Sequence, residues 1–111
     1  MYDDDYAFVQ EIFSNTLAEL SEGIPLLDSA FHSGDISQIR KIIHKIKPSF
    51  GFLGLLSIQE TLEHFEASCT LYDSTAALES YFFEIRKEIA GGFEIIGNEV
   101  QALKEFNTSR L

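Results

Sequence analysis

The feature that most limits the fold of this chain is the spacing of its apolar residues. Tyr6, Val9, Phe13, Leu17, Leu20, Ile24, Leu27 and Phe31 follow one another at steps of three or four. Such steps keep side chains on one face of an α-helix, where successive residues turn by about 100°, and a strand would need alternation instead. They predict one amphipathic helix over about 5–32. Pro25 lies inside it and removes the backbone bond to Ser21, so a kink near Ser21–Pro25 is expected. Asp3, Asp4 and Asp5 suit the positive end of its dipole.

The same period recurs three more times. Ser33-Gly34-Asp35 reads as a turn, with Gly34 as a left-handed cap and Asp35, three before Gln38, as the next N-cap. The second helix, about 36–53, carries Ile36, Ile39, Ile42, Ile43, Ile46, Phe50 and Leu53 and contains Pro48. Ser57 and Glu60 have capping-box spacing and open a third helix, about 57–70, with Ile58, Leu62, Phe65 and Cys69. Asp73-Ser74-Thr75 offers caps for a fourth, about 74–106, with Gly91-Gly92 as its soft spot and a fraying tail after it. Four stripes joined by short turns bury one another best as an all-α, antiparallel four-helix bundle, and 111 residues make one domain of 1–111. Satisfied stripes imply a monomer.

Charge narrows the function. The chain holds 18 acids against 8 bases, a formal net charge of -10. This argues against binding nucleic acid or an anionic membrane surface, both of which ask for Lys and Arg. The start, MYDDDYAF, lacks the basic and apolar regions of a signal peptide. The longest uncharged stretch, Pro48–Gln59, is too short for a membrane span. Cys69 is the only cysteine, which fits a reducing, cytoplasmic setting.

The acidic average conceals one basic segment. From Ile36 to Gln59 there is no acid, and Arg40, Lys41, Lys45 and Lys47 supply half of all the bases. Advancing 100° per residue puts His44 about 150° from the centre of the apolar arc, hence toward solvent. The neutral imidazole is a good nucleophile, and its charge state changes near physiological pH. Flanking cations would attract an anionic partner and steady phosphoryl oxygens. Pro48 and Gly51 reach outward very little, so a large partner could approach His44. There is no nucleotide loop or metal cluster, so the site could accept a phosphoryl group without activating ATP.

The segment His44-Lys45-Ile46-Lys47-Pro48-Ser49-Phe50-Gly51-Phe52-Leu53-Gly54 resembles the motif of histidine-containing phosphotransfer (HPt) domains. That motif has a His, a Lys three residues later, small residues after it and a Gly seven past the Lys. One position departs from it: the residue after the Lys is commonly Gly and here is Pro48. The resemblance implies a phosphorelay intermediate that takes a phosphoryl group from the aspartate of one receiver domain and passes it to another. His44 would be the phosphoacceptor, and Lys47 would screen phosphoryl charge. Pro48 and Gly51 would be small neighbours at the docking surface, and Gly54 would end the helix. Arg40, Lys41 and Lys45 would be accessory steering charges. The domain would carry no cofactor and no metal, since the divalent ion used in transfer would belong to the receiver. Its partners would be receiver domains of response regulators or hybrid histidine kinases.

Two other classes compete. One is a helical docking module for a receiver or other signalling protein, with His44 unphosphorylated. The other is a metal-binding bundle built on His64 and nearby carboxylates, for which the chain lacks any Glu-x-x-His.

Overall fold

The computed structural model describes residues 2–109, with side chains from Tyr6 onward; the Asp3–Asp5 side chains, assigned above to the helix dipole, lie outside the described residues. Four helices follow in order: α1 (Tyr2–His32), α2 (Ile36–Phe52), α3 (Leu56–Ser68) and α4 (Thr75–Ser109). Each packs on its chain neighbours, and α4 closes the ring against α1, which gives the antiparallel bundle. The core is the union of the stripes. Leu20, Leu27, Ile39, Ile43, Phe50, Leu62, Phe65, Ile85 and Ile89 are fully enclosed in it. On α2 alone Ile39, Ile42, Ile43, Ile46 and Phe50 are buried. Each such side chain contributes roughly 1.5–3 kcal/mol of transfer free energy, which fixes α2's rotation and leaves His44 outside.

The two turns beside α2 share one wiring. Gly34 has φ +76, and Gly54 has φ +88. At the first turn, Gly34 N–H donates to the Phe31 carbonyl and Asp35 N–H to that of Ala30; at the second, Gly54 N–H donates to Gly51 and Leu55 N–H to Phe50. This paired pattern is a Schellman closure, and its left-handed residue is most easily a Gly. The residue after each Gly ends one helix and begins the next. Asp35 caps α2 by accepting from the Gln38 N–H at 3.0 Å.

The second turn corrects a sequence expectation. The cap of α3 is Leu55, which makes no side-chain cap bond, and the helix starts at Leu56, so Ser57 lies inside it. Leu55 is instead packed against the core, so apolar contact positions this helix start. The other end of α3 also falls short of the expected residue 70. The helix stops at Ser68, and Thr70 N–H and Leu71 N–H turn back to the carbonyls of Ala67 and Ser68.

Three more details differ from expectation or qualify it. α1 passes Pro25 without leaving the helix. α4 runs through Gly91-Gly92 and on to Ser109, beyond residue 106. Asn107 holds that last part by donating to the Tyr6 carbonyl at 3.3 Å and to Gln10 Oε1 at 2.6 Å. Gly92 is buried, and a β-carbon there would lie 2.7 Å from both Phe50 Cε1 and Ile58 Cδ1. It is a contact point between helices. Finally, Tyr6 and Val9 are on the α1 stripe yet 43% and 36% exposed. The short α2 and α3 end before this level, so only α4 covers it.

Candidate functional site

The site lies where α2 and α3 run side by side. His44 is in the middle of α2 with its side chain 73% exposed, while Lys47, one turn on, is only 16% exposed. Between them comes Glu66 of α3. His44 Nδ1 is 3.0 Å from Glu66 Oε2, and Lys47 Nζ is 3.0 Å from Glu66 Oε1. One carboxylate therefore bridges both residues, with Oε2 the nearer to His44 and Oε1, 3.4 Å from the same nitrogen, taken by Lys47. Partial burial pushes the Glu66 carboxyl up. Hydrogen bonds from Lys47 and His44, reinforced by their charges, outweigh this and hold it below its ordinary value of 4.5. An ionised carboxylate can only accept, so the hydrogen on His44 must be at Nδ1. In the neutral ring the lone pair is then on Nε2, the nitrogen that Glu66 does not touch.

The remaining predicted residues arrange themselves around this bridge. Arg40 and Lys41 line the same open groove as His44 and Lys47, facing Glu63 and Ala67 of α3 and Thr70 of the turn after it. Lys41 and Lys45 also border the neighbouring groove between α1 and α2, across from Glu19 and Glu22. Arg40, Lys41, Lys45 and Pro48 are all exposed. Because Pro48 has no N–H, the His44 carbonyl lacks its usual helical donor. Gly54 closes α2 in the left-handed conformation, with nothing within 4 Å of where a β-carbon would stand.

Gly51 is used differently from the expectation. A β-carbon there would collide with the carboxamide of Gln59, a residue of α3. The space that Gly51 leaves is taken from within the chain, by Gln59. Gln59 and Glu66 are seven residues apart on α3, as Gly51 and His44 are on α2. The antiparallel register pairs them two by two, on one shared edge.

Glu66 and Gln59 are the site residues that sequence reasoning missed. Both sit directly beside the α3 stripe, next to Phe65 and Ile58. The only signal was a polar residue at a stripe's border, and it means nothing until the α2–α3 register is known.

Other candidates separate from the site. His64 Nε2 is 3.8 Å from Glu60 Oε1, and both side chains are well exposed. Among the described residues no three His, Cys, Asp or Glu side chains are placed to hold a metal ion. His32 Nδ1 donates to the Asp28 carbonyl at 2.9 Å, in the last turn of α1. Cys69 is buried, and burial pushes its thiol up to about 11, far from a reactive thiolate.

Comparison with known proteins agrees with this fold. Residues 11–106 match the family model described as the Hpt domain. The fold is similar to the crystal structure of the HPT domain from an Hpt sensor hybrid histidine kinase of Shewanella. That likeness has a TM-score of 0.74 at 17% sequence identity, and covers 86% of this chain and 82% of the other. No curated protein matches the chain.

Proposed function

The chain belongs to the Hpt domain family, and from that premise we propose that it is a phosphorelay intermediate of two-component signalling with His44 as its phosphoacceptor. The observation that carries this is the Glu66 bridge, which leaves His44 Nε2 as an outward-facing nucleophile. Nε2 attacks the phosphorus of a receiver's aspartyl phosphate. The P–N bond forms as the acyl P–O bond breaks, and the aspartate leaves as a carboxylate. The ring becomes positively charged, and the Glu66 carboxylate that accepts the Nδ1 hydrogen offsets that charge. Lys47, held by the same carboxylate as the ring, supplies positive charge to the phosphoryl oxygens in the loose transition state. Transfer onward to a second receiver is the same step reversed. The group arrives activated, so positioning and charge are what this chain contributes.

The domain, taken as 1–111, works as a phosphocarrier without kinase activity of its own. It carries no cofactor, and the divalent ion of transfer sits on the receiver. Its partners are receiver domains of response regulators or hybrid histidine kinases, and it acts as a monomer. Among the described residues no helix is long and apolar enough to cross a membrane, which fits the cytoplasmic site of action we assign.

The decisive experiment mixes the chain with a receiver domain phosphorylated by a small phosphodonor. Wild type is expected to gain acid-labile, alkali-stable label, and His44→Gln, with unchanged helicity, to gain none. Equal labelling of the two, or none in wild type with any receiver, overturns the reading.

A further inference from the structure

Beyond Lys47 the character of the surface changes. From Pro48 to Gln59 the chain contains no charged residue, in a protein of net charge -10. These residues form the end of α2, the Gly54 turn and the start of α3. Phe52 and Leu56 lie off the apolar stripes of α2 and α3, and they are 71% and 65% exposed. Pro48 and Gly54 are exposed as well. Nothing in the fold requires the two large apolar side chains to face outward, because Phe50, Leu53 and Leu55 already fill or border the core there.

The position of this knob identifies its occupant. Phe52 is eight residues past His44 on the same helix, so at 1.5 Å per residue it stands about 12 Å along the axis. It is turned about 80° from His44 around that axis, toward the side where Lys41 and Lys45 border α1. A protein partner of ordinary interface size covers about 800 Å² on each side, a disc of roughly 16 Å radius. A partner that brings an aspartate to His44 Nε2 therefore also covers Phe52.

We propose that the uncharged α2–α3 turn, with Phe52 at the end of α2 as its anchor and Leu56 at the start of α3, is the apolar half of the surface that docks the receiver domain. This rests on the phosphorelay reading above. The basic half (Arg40, Lys41 and Lys45) attracts an acidic phosphorylated partner from a distance, an effect that salt screens. The apolar half holds the docked partner in place. An exposed aromatic beside a reactive centre is the type of residue on which binding energy concentrates. The partner it fits is a receiver with an apolar patch about 12 Å from its acidic phosphorylation site.

The test takes the receiver domain, among a panel phosphorylated with acetyl phosphate, that labels the wild-type chain fastest. Phe52→Ala is expected to raise KM for that receiver at least about tenfold, with kcat little changed. Raising the salt should leave this factor in place, while weakening the separate effect of Lys41→Ala with Lys45→Ala. Phe52→Leu should recover most of the loss. Leu56→Ser is the second variant, and it should raise KM by a smaller factor if Phe52→Ala loses helicity. An unchanged KM in both variants overturns the proposal. So does a concentration-dependent dimer of the wild-type chain that Phe52→Ala abolishes, because the knob would then serve a second copy. Labelling of wild type by phosphoramidate, a partner-free donor, separates the two failures. If His44 is labelled but KM ignores Phe52, the docking proposal falls and the phosphorelay stands. If neither phosphoramidate nor any receiver labels His44, the functional reading itself falls.

Discussion

At Glu66, burial and charge oppose each other, and charge prevails. Its carboxyl is held below the usual 4.5, so the bridge to His44 and Lys47 is present above the ordinary carboxylate range. It is lost as pH falls through the lowered folded-state value. Glu66→Gln should therefore lower stability at pH 7 by under about 1 kcal/mol, because the pair is partly open to water. The difference from wild type should shrink as pH falls below the ordinary carboxylate range, as denaturant unfolding at pH 7 and in acid will show. The same variant keeps a hydrogen-bond partner for Nδ1 but lets the ring choose either tautomer, so labelling of His44 by phosphoramidate should slow. Lys47→Ala should fold normally and transfer from a receiver more slowly; an unchanged transfer rate would remove Lys47 from the mechanism. His44, Lys47 and Gly54 were legible in the chain because their spacing is local. Glu66 was not, because its role depends on a partner 22 residues away.

Two adjacent glycines show how an element acquires a role from its neighbours. Both Gly91 and Gly92 look like weak points of α4 by propensity alone. Gly91 is exposed with nothing within 4 Å of a built β-carbon, so Gly91→Ala should stabilise by up to about 1 kcal/mol. Gly92 is pressed between Phe50 and Ile58. Gly92→Ala should destabilise by about 1–3 kcal/mol through overpacking. Opposite shifts in thermal midpoint check the pair, and shifts of one sign would mean that Gly92 is not a contact point. The helices themselves were readable from the 3–4 period. Their ends were less so: Ser57 looked like a cap, but apolar packing of Leu55 set the start of α3.

The molecule measures 54 × 21 × 18 Å, and that long axis belongs to α1 and α4. At 31 and 35 residues they outrun α2 and α3, at 17 and 13. Past the Gly54 turn the bundle thins to two helices, held together by contacts such as Tyr6 on Phe106 and Asn107 on Gln10. Fewer buried side chains there mean cheaper local opening. Amide hydrogen exchange should be fastest in 6–14 and 99–109, and Asn107→Ala should speed it there while leaving the thermal midpoint of the bundle almost unmoved. At the other end, one turn before α1 closes, the α1–α4 pair is clamped by Arg86 on Asp28, at 2.8 and 3.1 Å. Sequence alone determined the four helices, the bundle that buries their stripes and the exposed, basic setting of His44, since each follows from periodicity and charge within about two turns of chain. Only the tertiary structure decided that Glu66 orients the ring, that Gln59 fills the space beside Gly51 and that Gly92 is a contact. Each of these depends on the register between helices, which is set by how whole side-chain faces interlock and is invisible in the spacing of any single helix.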